Sequence, residues 1–331
     1  SITRPDPIDR LENTISLGSP MNDRWPHIPY EPWKETSETL HQWLQIVGKY
    51  RLALTPRINH TWHATLYLNA RGLDTSVIHC GDKSVQVLFD FVDHALVCAA
   101  SDGQRRSLPL QSMSVAAFHA EFSAVVNELG VSIDFDGTPN EVPDPVPFAR
   151  NTAPGAYDAD AARRFWLALL QVDRVFKSFR TGFLGKVSPV HLFWGSFDLA
   201  VTRFSGRAAP RHPGGVPGLP DDVTREAYSH EVSSAGFWAG GGGLGFPAFY
   251  SYAYPTPEGF AEQPVTPSEA HFDANLGEFL LPYDAVRTAT DPDRALLGFL
   301  QSTYDAAARQ GKWDREALEC PLGVPRVPRV V

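Results

Sequence analysis

Asp198 lies between Phe197 and Leu199 in SPVHLFWGSFDLAVTRF, an apolar run that reads as one long strand. Asp is disfavoured in strands, and a buried carboxylate is costly unless paired or bound to a cation. On a continuous strand its face also carries Trp194, Ser196 and Thr202, which suits a polar pocket floor with a carboxylate base. The competing structural reading pairs Asp198 with Arg203 or Arg207. His191 enters the same run, and His230-Glu231 falls in AYSHEVSS, a segment with polar groups on both parities. If they converge, His191, His230 and Glu231 form a His/carboxylate set suited to zinc or non-haem iron.

Catalytic expectations therefore fall on Asp198, His230, Glu231 and Ser196. Trp194, Arg203, Arg207 and Tyr252 are the candidate substrate contacts, with an arginine to hold an anionic group. Tyr252 belongs to a stripe, Tyr250, Tyr252 and Tyr254, that shares one face of a strand and forms a hydroxyl-tipped aromatic wall. A Ser/His/Asp hydrolase built on Ser196 or Ser233 is a further reading, although no Gly-x-Ser-x-Gly elbow is present. His60 and His63 have an odd offset, which sends strand side chains to opposite faces.

The elements that would position these residues occur twice. A helix over about 36–50 precedes RLAL and HTWHATLYLNARG. A helix over about 158–180 precedes HLFWGSFDLAVTRFSG. With His60 set against His191, one parity is apolar in both copies and the other polar in both. Each copy closes with a helix, about 114–129 in the first and 292–309 in the second, entered through SLPLQS and FLLPYD. Sequential strands between helices predict an α+β protein of two related halves with antiparallel sheets. The expected divisions are an N-terminal arm 1–24, a first half 25–136 acting as scaffold, a Pro-rich linker 137–157, a second half 158–318 holding the pocket, and a tail 319–331. The loops 206–222 and 239–246 occur only in the second copy and are expected to roof that pocket.

The chain has 331 residues, a net charge of −9 and 43% hydrophobic content, ample for a large core. The acidic balance argues against a nucleic-acid surface. No apolar run is long enough to span a bilayer. The segment SITRPDPIDRLEN has no apolar stretch of a signal peptide, and the three cysteines are widely spaced. The resulting expectation is a reduced, cytoplasmic protein.

The strings SPVHLFWGSFDLAVTRFSGR, HPGGVP, EAYSHEVSSAGFW and FYSYAYP, with RLALTPRINHTWHATLY upstream, resemble a bacterial family catalogued as domain of unknown function 5996. The resemblance runs from Trp25 to about Ala317 and implies a bacterial cytoplasmic origin. It carries no activity. From the residues, the leading expectation is a small-molecule enzyme with a His/carboxylate pocket in the second half, metal-dependent in one version. The alternatives are a non-catalytic small-molecule binder and a structural protein with buried ion pairs.

Overall fold

The computed structural model describes residues 24–329. Most of the expected N-terminal arm and the last two residues lie outside that range.

The first half runs α1 (Tyr30–Leu54), β1 (Tyr67–Leu68), β2 (Gly72–Asp74), β3 (Ile78–Cys80), β4 (Lys83–Asp90), β5 (Ala95–Ala100), β6 (Arg105–Pro109) and α2 (Val115–Glu128). The second runs α3 (Ala159–Thr181), β7 (His191–Phe193), β8 (Asp198–Ala208), α4 (Asp221–Ala227), β9 (His230–Trp238), β10 (Ala248–Tyr254), β11 (His271–Asp273) and β12 (Glu278–Pro282). It ends with α5 (Tyr283–Arg287), α6 (Pro292–Gln310) and α7 (Arg315–Leu318). Each half holds a six-stranded sheet, ordered β1-β2-β4-β5-β6 with β3 on β4, and β7-β8-β9-β10-β12-β11. The strand pairings among the described residues are antiparallel. This is the α+β layout of two like halves: β1, β2, β4, β5 and β6 correspond in order to β7, β8, β9, β10 and β12.

The two sheets meet edge to edge. Leu66 N–H donates to the Leu192 carbonyl at 2.9 Å, and Leu192 N–H returns a bond to the Leu66 carbonyl at 2.8 Å. These pairs satisfy backbone groups that an open edge would leave free. The helix α1 lies in the seam. Trp33 stacks on Phe165 of α3 and Trp43 on Phe118 of α2. Every residue from Trp43 to Arg51 is buried. The buried polar members among them, Gln45, Lys49 and Arg51, are each held by a hydrogen-bond partner. The helix runs beyond the expected 36–50, and RLAL is its last turn rather than a strand.

Two further expectations are corrected. HTWHATLYLNA alternates as a strand should, yet only Tyr67–Leu68 is extended. Residues 59–61 form a 3-10 turn, in which His60 and Thr61 adopt φ of 60°. The long run 188–204 is also broken. Phe197 has φ of 57°, and its N–H bonds the Phe193 carbonyl at 2.8 Å. A tight turn therefore separates β7 from β8, and Asp198 opens a strand rather than lying inside one. By contrast α2, α3 and α6 fall within two residues of their expected bounds. Each begins at a side-chain cap, from Ser114, Asp158 and Asp291 respectively. Such residues satisfy amides that the first turn leaves free.

Candidate active site: a carboxyl and tyrosine cluster

Strand register decides which side chains of the second sheet share a face. Asp198 opposes Trp238, Thr202 opposes Ser234, and Gly236 and Ser234 oppose Tyr250 and Tyr252. Directly paired residues point the same way. Asp198, Thr202, Ser234, Trp238, Tyr250, Tyr252 and Tyr254 therefore stand on one face. The opposite face carries Leu199, Val201, Ala235, Phe237 and Phe249, all buried, and α3 and α6 pack on this sheet.

Asp198 is the centre of the polar face and is 4% exposed. Tyr250 donates its phenol to one carboxylate oxygen and Ser196 donates its hydroxyl to the other. Gly236 makes room for this arrangement, because a Cβ there would come within 2.3 Å of the Tyr250 ring. The Tyr250 ring lies between Trp238, 4.4 Å away by centroids, and Tyr252, at 6.0 Å. Tyr252 shares a hydroxyl contact of 2.9 Å with Tyr228, the residue that follows α4. Thr202 and Ser234 hydroxyls meet at 2.8 Å.

Two glutamates complete the cluster. Glu141 comes from the linker and has φ of 53°, a left-handed conformation that a glutamate adopts only when its surroundings enforce it. Three elements do so. The Gln45 amide of α1 clamps the neighbouring Asn140, accepting from its N–H at 2.8 Å and donating to its carbonyl at 2.9 Å. Glu141 N–H donates to the Gly218 carbonyl at 3.2 Å. The Glu141 carboxylate lies against Gly195, where a Cβ would approach its Oε1 to 2.4 Å. Glu278 enters from β12, and its Oε2 is buried with no hydrogen-bond partner among the described residues.

Desolvation raises all three carboxyls, because burial disfavours the charged form. It pushes Glu141 and Glu278 up to about 7, with the Asp198 charge adding in the same direction. Asp198 is itself raised by burial, against the opposing bonds from Ser196 and Tyr250. Burial, then the Asp198 charge, hold Tyr250 well above the usual phenol range. Glu141 and Glu278 are therefore acids whose protons exchange near neutrality, close to a stacked aromatic wall.

The structure thus brings Ser196, Asp198 and Tyr252 together, and the tyrosine stripe shares a face. The other expected residues do not join them. Trp194 is core: its Nε1 donates to the Ala64 carbonyl at 2.7 Å, and its ring fills the space above Gly48 of α1. Arg203 stands five positions from Asp198, an odd offset, and points to the helix side among Phe179, Phe183 and Tyr304. Arg207 and Glu231 pair with each other at 2.7 Å, and Arg207 also bonds carbonyls of Gly311 and Lys312 at the end of α6. His191 is enclosed between the halves, its Nδ1 3.1 Å from Thr65 Oγ1. Burial, reinforced by Arg51 and Arg180, pushes it down to about 3, so it stays neutral.

The expected metal set is corrected by the same register. His191 opposes Ala200 and His230 opposes Ala208, at positions eight apart along β8. At about 3.3 Å per residue that separation is far beyond shared coordination. Among the described residues, no group of three or more His, Cys, Asp or Glu side chains is placed to hold a metal ion. Ser196 also lacks a histidine partner, since its hydroxyl is committed to Asp198 and the nearby His41 contacts the Gly195 carbonyl at 2.9 Å.

The two predicted roofs part company. The 209–220 loop does reach the cluster, through Gly218 and Glu141. The glycine-rich loop turns on itself through paired bonds between Gly241 and Leu244 and lies against Tyr30 at the start of α1. Among the described residues no helix is long and apolar enough to cross a membrane, and the three cysteines are free.

Two like halves with abutting antiparallel sheets, and a carboxyl cluster on the second, define the class of protein. The chain belongs to the family of unknown function DUF5996, whose model matches residues 25–320. No curated protein and no solved structure matches it.

Proposed function

We propose that the chain is a small-molecule enzyme that works by general acid–base catalysis with Asp198, Glu141 and Glu278. The observation that carries this reading is Glu141. Its backbone is held in a strained conformation by contacts from α1, the turn before β8 and the 209–220 loop, and the effect is to seat its carboxyl against Gly195, within the field of Asp198. Such strain costs about 1–3 kcal/mol and persists at sites where position matters more than stability. Proton transfer is most efficient when the catalytic group titrates near the working pH, and clustered perturbed acids mark functional sites. In this reading one glutamic acid delivers a proton and a partner carboxylate accepts one. Trp238, Tyr250 and Tyr252 supply the wall against which a substrate is oriented. Metal dependence is not part of it, because the residues that would have supplied ligands are apart.

The test is a metabolite-consumption experiment. A small-molecule extract is incubated with wild-type chain and with Asp198→Asn, and both are followed by mass spectrometry. The wild type is expected to deplete at least one compound and Asp198→Asn, folded by circular dichroism, to leave it intact. Depletion at the same rate by the variant would overturn the assignment. A compound retained by both chains on gel filtration without turnover would favour the non-catalytic binder.

A further inference from the structure

The other end of the same face carries a second, independent constellation. Asp198 pairs with Trp238 at one end of β8, whereas Ala208 pairs with His230 at the other. Beside His230, His60 and Lys186 meet at 2.6 Å between Nε2 and Nζ. The His60 tautomer is fixed. Its Nδ1 lies 2.9 Å from the Ala227 carbonyl, which only accepts, so Nδ1 carries the hydrogen and Nε2 offers a lone pair to the Lys186 amine. His60 N–H is itself gripped by both oxygens of Glu226, at 2.7 and 2.9 Å. His60 and the following Thr61 are successive non-glycine residues with φ of 60°. Holding two such residues requires compensation elsewhere, as at sites where a side chain must be aimed.

The lysine differs from three of its fellows. Lys49, Lys83 and Lys177 each pair with a carboxylate. Lys186 instead lies over the rings of Trp62, at 5.3 Å, and Phe204, at 4.7 Å, while its side chain remains open to solvent. Desolvation there lowers the Lys186 amine below the usual lysine range, against the opposing charge of Glu226. Burial likewise lowers His60, which keeps its ring neutral. A groove of about 490 Å³ lies on the far side of Glu226, lined by Ala209, Arg211, Asp222, Arg225, Glu226 and Ser229. Glu226 joins the groove to His60, and Ser229 joins it to His230 through a 3.0 Å contact. The His60 and His230 rings are 6.3 Å apart.

We propose that Lys186 is a carbonyl-capturing amine, with His60 as its proton acceptor and the groove as the seat of a small aldehyde or ketone that bears an anionic group. The amine lone pair attacks the carbonyl carbon, and the C=O pair moves to oxygen. His60 Nε2 relays one nitrogen proton to that oxygen, giving the carbinolamine, and then relays the second nitrogen proton to the hydroxyl as the nitrogen pair expels it. That hydroxyl leaves as water, and the net change is amine plus carbonyl to imine plus water. Arg211 supplies a cation for the anionic end.

Glyoxylate with sodium cyanoborohydride is the probe: hydride adds to the imine carbon and fixes a secondary amine. Peptide mapping of wild-type chain is expected to place the adduct on Lys186 ahead of Lys34 and Lys312, which are also exposed. His60→Asn suits the left-handed backbone, since Asn tolerates positive φ better than most residues. It is expected to slow trapping at Lys186 by about a hundredfold, the lower range for a positioned proton acceptor, and to leave Lys34 unchanged. Labelling of Lys186 no faster than Lys34 and Lys312 would overturn the proposal. So would unchanged trapping in folded His60→Asn. The readout does not involve Asp198, so it stands apart from the carboxyl site.

Discussion

Glu141→Gln is expected to raise stability above neutral pH while cutting turnover by about a hundredfold or more. The Glu141 carboxyl moves from an ordinary value of 4.5 up to about 7 because burial, and then the Asp198 charge, disfavour its ionised form. Between those values the folded chain holds a proton that the unfolded chain releases. Below the unfolded value the group is neutral in both states and no penalty arises. As pH climbs toward about 7, stability falls by about 1.4 kcal/mol per unit. The loss levels off above the folded value, at roughly 3 kcal/mol. Glutamine is uncharged throughout and keeps the shape, so it removes this loss. Urea unfolding should show little difference between variant and wild type near about pH 4 and a gap of roughly 2–3 kcal/mol near about pH 8. Glu278 follows the same direction and retains its own slope in the variant. Turnover should fall about a hundredfold or more, since a proton donor has been lost. A stabilising change that removes function is the usual signature of a strained working site. A constant stability gap across the pH range would contradict the assignment.

The second large effect lies on the opposite face of the sheet. Arg203 is 1% exposed. Its guanidinium carbon sits 3.5 Å from the Phe179 ring centroid and 4.4 Å from that of Tyr304, and one nitrogen donates to the Phe179 carbonyl at 2.5 Å. Its Nε has no partner among the described residues, and burial pushes the group down to about 10. Arg203→Ala would leave a void among these rings and should cost about 3–5 kcal/mol, the range for large core truncations. Arg203→Met fills the space and removes a buried charge, so it should cost little or even stabilise. Chemical denaturation of the two variants separates these cases. Equal losses would show that the charge, not the volume, supports the core.

The legible parts of this chain were those whose meaning is local. The bounds of α2, α3 and α6 were read to within two residues. A lone acid among apolar residues singled out Asp198, and period-two spacing put Tyr250 and Tyr252 on one face. The likeness of the halves was visible in the order of their elements. What escaped depended on distant partners. Glu141 sits in a Pro-rich segment with no periodic signal, and its role arises from Gln45, 96 positions away, and from Gly218. Glu278 lies on a short strand, and only its neighbours FLLP stood out. Arg203 was misassigned although it shares strand β8 with Asp198. Counting from Asp198, the odd offset alone already separates the two residues. His191, His230 and Glu231 have the right chemistry for a metal, but strand register holds them apart.

Carbon-detected NMR titration of the Glu141 and Glu278 carboxyls, in wild type and in Asp198→Asn, tests the coupled cluster most directly. In the wild type both should titrate near 7. In Asp198→Asn both should move down, because a charge that raises them has gone while their burial remains. Titration of both in the ordinary glutamate range in the wild type, or no movement in the variant, would contradict the cluster as a coupled acid–base site.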